Sequence, residues 1–435
     1  MGYIFLFDII EKVFGHWFSL GMIMAAAFLC FLAVQKGEDR FMLPKSFCAK
    51  VMPWIFFMLL FVIPRNRLCE DGNYWSTIRW IVALMMMILV ACKPLTYKRI
   101  LGMIVFYAGI HTAATWILYF FPILYKGLYD LWGGWAFGTD DYAVYKAGIT
   151  NNYSRSSIAQ IPGLFVLAAV IIVILCSKEA VTRMNAGRLI AAAIAFAVMS
   201  GALVLVAKRS GLLFGMGAIL LGYMVYKYKK INVVRIAGVG ILLILVFLAV
   251  SRFVTPLQVV LNRFLKLGKD SSTTNRFKMW KLALEMFLRR PIIGNGWESF
   301  KFEYYLHISN RSGGAYDYLD AHNVFLQVLA ETGLVGGTLF ITCIGTAFMT
   351  AYRLIRSSER ITMLFDRVAV VYSFMYQIYF ILYCATGNCL YDITFTHYMI
   401  AVGLMLGVYL KTAMSSKQTR EIYETNRYFD FSQSI

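Results

Sequence analysis

Long apolar runs separated by short polar loops recur along the whole chain. Many are roughly 17–25 residues long, which is the length that a helix needs to cross a hydrocarbon core. Backbone groups in lipid must pair within their own segment, so we expect spanning helices. Residues 1–17 form either a further span or an interfacial helix. We predict about eleven spans: Phe18–Val34, Val51–Ile63, Ile78–Cys92, Ile100–Tyr125, Ile158–Cys176, Leu189–Ala207, Leu212–Tyr226, Val233–Ser251, Leu334–Tyr352, Val368–Cys384 and Ile393–Leu410.

The composition supports a membrane protein over a soluble one. Hydrophobic residues make up 60% of the 435 residues and charged residues 15%, and a soluble domain of this length cannot hide so much apolar surface. We therefore predict an all-α polytopic inner-membrane bundle with about 11–12 spans and one large outward-facing helical loop. Cys69 and Cys389 fall on the predicted outer side, where they could form a disulfide.

The net charge of +19 is distributed as membrane topology requires, which argues against a nucleic-acid partner. Short basic loops alternate with loops that are poorer in Lys and Arg, and the positive-inside rule places the basic set and the C-terminus in the cytoplasm. Residues 252–333 then face outward, although they are also rich in Arg and Lys. That excess has no topological use and indicates an anionic partner.

These boundaries divide the chain into four parts: an N-terminal transmembrane bundle (1–251), an outward loop with short helices (252–333), C-terminal transmembrane helices (334–411) and a cytoplasmic tail (412–435). The outward loop contains two helical patterns. In the first, over "SSTTNRFKMWKLALEMFLRRP", apolar residues fall at helical spacing. The second begins near Asp320, carries His322 in its first turn and ends at Gly333. The apolar face predicted for the first helix contains Phe277, Trp280, Leu284, Phe287 and Leu288.

Three motifs on the outer side contain cations or a titratable ring. "AKRSG" (207–211) holds Lys208 and Arg209, which are either snorkelling cations or anion ligands. "NRFKMW" (275–280) places Arg276 in a first helical turn, as part of a solvated face or of an anion site. The third motif is His322-Asn323, followed after nine residues by "GLVG". A lone histidine is more often a structural ring than a catalyst.

Together these motifs resemble the O-antigen ligase/polymerase family of bacterial envelope glycosyltransferases. The resemblance rests on "KRSG", on "NRFKMWKLALEMFLRRPIIGNGWESF" and on His322-Asn323 with Gly333 and Gly336. It implies a donor glycan on a polyprenyl (undecaprenyl) pyrophosphate and a sugar hydroxyl as acceptor. In the ligases this hydroxyl belongs to the lipid A core, and in the polymerases to another lipid-linked repeat. The family's functional arginines correspond to Arg209 and Arg276, and its histidine to His322.

The chemistry fits these residue types. Guanidinium groups bind phosphate oxygens bidentately and stay charged, so Arg209 and Arg276, with Lys208 beside them, would hold the pyrophosphate. His322 would take the proton of the acceptor hydroxyl, and Asn323, Gly333 and Gly336 would support it. The outer loops hold no Asp-x-Asp pair, so we expect neither a metal nor another cofactor.

Two alternatives remain open at this point. A polymerase shares every motif with a ligase, because only the acceptor differs. A flippase or transporter of lipid-linked sugars would line a path with charged residues within its spans, and the predicted spans are nearly free of charge. In each case the partners are a lipid-linked glycan, a glycolipid or lipid-linked acceptor, and membrane lipid.

Overall fold

The computed structural model describes residues 45–65, 75–92, 97–121, 123–124, 153–176, 183–206, 208–228, 233–252, 257–258, 261–262, 271–309, 319–390 and 393–432. Within these ranges the chain is helical and contains no β-strand. The helices are α1 (Lys45–Phe57), α2 (Trp75–Cys92), α3 (Tyr97–Phe120), α4 (Tyr153–Cys176), α5 (Arg183–Val206), α6 (Arg209–Tyr228), α7 (Val233–Ser251), α8 (Ser271–Arg289), α9 (Ser299–Tyr304), α10 (Val324–Arg356), α11 (Leu364–Cys384) and α12 (Ile393–Ser432).

The predicted all-α polytopic fold is confirmed. Of the described helices, seven are long and apolar enough to cross a membrane: α3, α4, α5, α6, α10, α11 and α12. Shorter apolar helices correspond to the predicted spans in α1, α2 and α7, with α1 continuing through a π-helical turn, Met58–Val62. The predicted span Phe18–Val34 and residues 1–17 lie outside the described residues.

The centre of the bundle consists of α4, α11 and α12. In the apolar stretch of each of these helices, 83%, 83% and 89% of the residues are buried inside the protein. In α3 and α5 the corresponding share is 33%. Aromatic rings fill the space between the central helices and α1 and α2. Trp54 packs against Trp80 and Tyr398, and Phe380 stacks on Tyr398. The outer helices α3 and α5 therefore present most of their apolar surface to their surroundings, as lipid contact requires.

Helix α8 packs on α10 through a face other than the predicted one. The buried side chains are Met279, Leu282, Ala283 and Met286, which form a small core with residues of α9 and α10. Three residues of the predicted face, Phe277, Leu284 and Leu288, are 61%, 51% and 66% exposed. Helix α8 therefore carries apolar residues on two faces, and helical periodicity alone does not say which of them meets α10.

Helix α10 begins later than the sequence suggested. Asn323 is its N-cap, with Oδ1 accepting a hydrogen bond of 3.1 Å from the N–H of Leu326. Asp320 therefore does not cap this helix, and His322 precedes it instead of lying in its first turn. The predicted break at Gly333 is confirmed, since this residue has φ 65° and ψ −166° inside an otherwise helical segment. The helix resumes immediately and runs to Arg356.

Candidate active site

His322 lies in a left-handed backbone conformation, two residues before α10 begins at Val324. Its φ is 53°, which is uncommon for a residue with a side chain. Its backbone N–H donates a hydrogen bond of 3.0 Å to Oδ1 of Asn388, in the loop between α11 and α12. The ring is partly buried. The position of His322 is therefore fixed by a contact from a distant part of the chain.

Lys208 is held at the same end of the bundle. It is 8% exposed, and its Nζ donates a hydrogen bond of 2.7 Å to the hydroxyl of Tyr383. The same Nζ lies 4.7 Å from the centre of the Tyr383 ring. Tyr383 is the penultimate residue of α11 and lies five residues before Asn388, so the end of one helix and the loop after it hold both Lys208 and His322.

Arg276, on α8, joins this cluster electrostatically. The pKa of His322 is lowered from its usual 6.5, first by burial and then by the positive charges of Arg276 and Lys208, while Asp320 opposes them. Two of the three predicted cations therefore act on His322 through their charge.

Arg209 is the first residue of α6 and directly follows Lys208. Its side chain lies outside the described part of the structure. A pyrophosphate clamp that includes Arg209 stays a prediction, although its backbone position places it next to a member of the cluster.

The loop Pro291–Gly296 locks onto the break in α10. The N–H groups of Leu334 and Val335 donate to the carbonyls of Pro291 and Ile292, at 2.8 and 3.1 Å. A Cβ on Gly333 would lie 2.4 Å from the carbonyl carbon of Ile292. Glycine is thus required here both for its backbone conformation and for the close approach of the loop.

Gly336 allows a second close contact one turn later. A Cβ at this position would lie 2.2 Å from Oγ1 of Thr332 and 3.2 Å from Cε1 of Phe61. The small residue therefore lets α10 pack closely against the π-helical turn that follows α1. Both glycines of the motif therefore allow close packing around α10.

A polar network behind His322 was not predicted from the sequence. Nε2 of Gln327 donates to Oδ1 of Asp320 and to Oε1 of Glu331, both at 3.0 Å, and its Oε1 accepts from the N–H of Ala321 at 2.9 Å. Glu331 is fully buried. The network fixes the two residues that precede His322. The sequence did contain a signal for this network, because Gln327 and Glu331 are polar residues four positions apart and so lie on one helix face.

Lys301, on α9, extends the network. Its Nζ lies 3.3 Å from Oε1 of Glu298 and 3.7 Å from Oδ1 of Asp320. Burial alone would lower the pKa of Lys301, but the carboxylates Asp320, Glu298 and Glu331 together raise it. The lysine is therefore charged and holds buried carboxylates together behind the site.

Cys389 lies beside the site residue Asn388, with its Sγ 3.1 Å from Sγ of Cys384. Because Cys69 lies outside the described residues, its pairing with Cys389 stays a prediction. Among the described residues, no group of three or more His, Cys, Asp and Glu side chains could hold a metal ion.

Comparison with known proteins agrees with this geometry. Residues 194–341 match the O-antigen ligase family, a segment that contains Lys208, Arg276 and His322. The chain is also 28% identical over 102 residues to the exopolysaccharide production protein ExoQ of Rhizobium meliloti (strain 1021). That alignment covers 21% of this chain and 22% of the relative. The segment of this multi-pass membrane protein that carries the site is therefore similar to the O-antigen ligase family.

Proposed function

We propose that the chain is a glycosyltransferase that moves a glycan en bloc from a polyprenyl (undecaprenyl) pyrophosphate to a sugar hydroxyl, such as one of the lipid A core. The observation that carries this proposal is that Tyr383 and Asn388, five residues apart, hold Lys208 and His322 at one end of the bundle, where the charges of Arg276 and Lys208 lower the pKa of the imidazole. An anion ligand and a neutral base next to each other suit a reaction that releases pyrophosphate and removes one proton.

In the proposed reaction the acceptor oxygen attacks the anomeric carbon of the donor sugar. The bond from that carbon to the pyrophosphate oxygen breaks, and the lipid pyrophosphate leaves with the electron pair. The hydroxyl proton moves to His322. Arg276, Lys208 and Arg209 would stabilise the charge that develops on the departing group, so no cofactor is needed.

The electrostatics of the site would couple donor binding to proton transfer. Before the donor binds, burial and the two cations keep His322 neutral at pH 7, which is the form that can accept a proton. A bound pyrophosphate would offset the charges of Arg276 and Lys208, and so raise the pKa of the imidazole. The base therefore becomes stronger when substrate is present.

A polymerase that joins lipid-linked repeat units is the second candidate. The relative's name refers to exopolysaccharide production, which favours extension of a polymer over transfer to lipid A core. The two reactions use the same site and differ only in the acceptor. A flippase of lipid-linked sugars has less support, because it would not need a proton acceptor beside the cations.

A reconstitution experiment separates these functions. The purified full chain in liposomes is given lipid-linked glycan with either lipid A core or a second lipid-linked repeat. Extension of the core indicates a ligase, and extension of the repeat indicates a polymerase. His322→Asn removes the proposed base but keeps the backbone conformation, because Asn tolerates a left-handed backbone. This variant should reduce turnover about 10²-fold or more. Movement of intact donor across the bilayer without a new glycosidic bond would contradict both enzymes.

We further propose that the protein lies in the bacterial inner membrane, with His322 outside and the C-terminus in the cytoplasm. The loop charges support this orientation. Lys281, on α8, and Glu359, after α10, are both exposed, so cysteines there can be labelled. In intact cells an impermeant thiol reagent should modify Lys281→Cys and not Glu359→Cys. The opposite pattern would reverse the topology.

A further inference from the structure

A second cation-lined cavity opens at the end of the bundle away from His322. Its volume is about 770 Å³. It lies where the start of α1 meets the end of α10, the start of α11 and the middle of α12. The lining residues are Lys50, Thr350, Arg353, Leu354, Ser357, Arg360, Ile361, Thr362, Met363, Asp366, Val408, Tyr409, Lys411, Thr412 and Ala413.

This cavity is separate from the proposed active site. His322 precedes α10, whereas Thr350 and Arg353 lie near its other end. The part of α10 after its break at Gly333, from Leu334 to Arg353, alone corresponds to a length of about 30 Å. A lipid pyrophosphate held at one end therefore cannot reach the other, and the cations here need their own explanation.

The cavity carries an excess of positive charge. Among its described lining residues Asp366 is the one carboxylate, and Nζ of Lys411 donates to both of its oxygens, at 3.0 and 2.9 Å. Lys50, Arg353 and Arg360 are the remaining cations. Nζ of Lys50 donates to the hydroxyl of Thr350 at 2.9 Å, a neutral group that does not offset its charge.

Hydroxyl groups of Ser357, Thr362 and Thr412 line the same space, beside the ring of Tyr409, over which Lys50 lies at 4.8 Å. Those of Ser357 and Thr412 donate to backbone carbonyls of their own helices, which leaves their oxygens to accept hydrogen bonds. Guanidinium groups and an ammonium are the donors that bind phosphate oxygens. Apolar side chains complete the wall, and one of them, Met363, is 66% exposed. The cavity thus offers polar contacts to a headgroup and apolar contacts to the first carbons of its chains.

Topology alone does not account for this arrangement. The positive-inside rule requires cations near this end of the bundle, but it does not require them to converge. Arg356 and Lys227 satisfy the rule as exposed side chains, and neither lines the cavity. Concave basic sites between helices at a membrane surface are typical binding sites for anionic lipid headgroups.

We propose that this cavity binds the phosphate headgroup of an anionic glycerophospholipid from the surrounding leaflet. Lys50, Arg353 and Arg360 contact the phosphate oxygens, and the hydroxyls contact the remainder of the headgroup. A lipid held there bridges α1, α10, α11 and α12. This proposal is independent of the glycosyltransferase reaction and would hold if that reaction were disproved.

The test uses the purified, delipidated full chain in a neutral detergent. Phosphatidylglycerol or phosphatidylcholine is added, and bound lipid is counted by native mass spectrometry. The chain should bind phosphatidylglycerol at least about tenfold more tightly than phosphatidylcholine, since the site recognises negative charge. Inorganic phosphate at millimolar concentration should not displace it, because the lipid chains add contacts. Equal retention of the two lipids would overturn the proposal, and displacement by phosphate would indicate a site for a free anion.

A pair of charge-matched double variants locates the site. Arg353→Gln with Arg360→Gln removes two cavity cations, and Arg356→Gln with Lys227→Gln removes two cations that lie outside it. Only the first pair should lose the preference for phosphatidylglycerol. Equal losses in both pairs would mean general surface attraction and reject the cavity. If the first pair does not fold, the lipid comparison on the unaltered chain still decides the question.

Discussion

The backbone N–H of His322 donates a hydrogen bond of 3.0 Å to the side-chain Oδ1 of Asn388, which lies 66 residues further along the chain. This contact joins the segment before α10 to the loop between α11 and α12. Because His322 has φ 53°, its backbone needs outside support to stay in that conformation. Asn388 is therefore a positioning residue for the proposed base.

Loss of this contact should affect catalysis more than binding. In Asn388→Ala the N–H of His322 loses its acceptor, so the imidazole is less well positioned, and kcat should fall about tenfold with little change in KM. Asn388→Asp keeps an acceptor oxygen and should retain most of the turnover. Its added negative charge should raise the pKa of His322 and move the acid limb of the pH profile upward. Equal loss of kcat in both variants would contradict positioning through this bond.

Gly333→Ala should destabilise the protein strongly. A side chain at φ 65° and ψ −166° costs about 1–3 kcal/mol in backbone strain, and the added Cβ would also clash with the carbonyl group of Ile292. Gly345→Ala is the matched control in the same helix. No atom lies within 4 Å of the added methyl there, so it should be neutral or stabilising by roughly 0.5–1 kcal/mol. Thermal unfolding in one detergent compares the two, and similar midpoints would refute the role of Gly333.

Hydropathy was sufficient to predict the fold, because the spans must satisfy a length set by the membrane. The break at Gly333 was also predictable, since glycine commonly ends helices. The N-cap of α10 was not, because Asp320 and Asn323 are both good caps and only tertiary contacts decide between them. Asp320 instead accepts from Gln327. The capping preference of Asp320 is therefore overridden by its place in the polar network with Gln327.

The candidate site was predictable only in part, for a related reason. The residue types of Lys208, Arg276 and His322 suggested an anion and a proton acceptor, but their proximity depends on contacts from α11 and the loop after it. Tyr383 and Asn388 carry no motif of their own, so the sequence could not single them out. Their importance follows from their hydrogen bonds to Lys208 and to the backbone of His322.

The pH dependence of the reaction should report the cations around His322. Neutral imidazole is the active form, and its pKa is lowered from 6.5. The acid limb of kcat/KM, which reports the free enzyme, should therefore lie below pH 6.5, where the ring becomes protonated. Lys208→Gln removes one charge that lowers this pKa, so the acid limb of kcat/KM should move to higher pH. An unchanged acid limb in this variant would show that Lys208 does not act on the titrating group.

The donor itself should shift the same titration. Bound pyrophosphate offsets Arg276 and Lys208, so the pKa seen in kcat, for the donor-bound enzyme, should exceed the pKa seen in kcat/KM, for the free enzyme. Both profiles come from one set of initial rates between about pH 4 and 8. Profiles with the same acid limb would mean that the phosphates do not approach His322.

The pyrophosphate clamp predicts a specific response to conservative substitution. Arg276→Lys and Arg209→Lys keep the net charge but lose bidentate hydrogen bonding, and hydrogen bonds to charged groups contribute about 1.5–3 kcal/mol. Each variant should therefore lower kcat/KM about tenfold or more. Arg290→Lys, at the exposed end of α8, is the matched control and should remain active.

The double variant tests whether the two arginines share one ligand. If both bind the same pyrophosphate, the second substitution removes less than the first, so the losses in Arg209→Lys with Arg276→Lys should be less than additive. Additive losses would place the two guanidinium groups on separate ligands. Chelation of divalent ions should leave the unaltered enzyme active, because the arginines supply the charge that a metal would otherwise provide. Abolition of activity by a chelator, together with normal Arg→Lys variants, would show that a metal and not the arginines holds the donor.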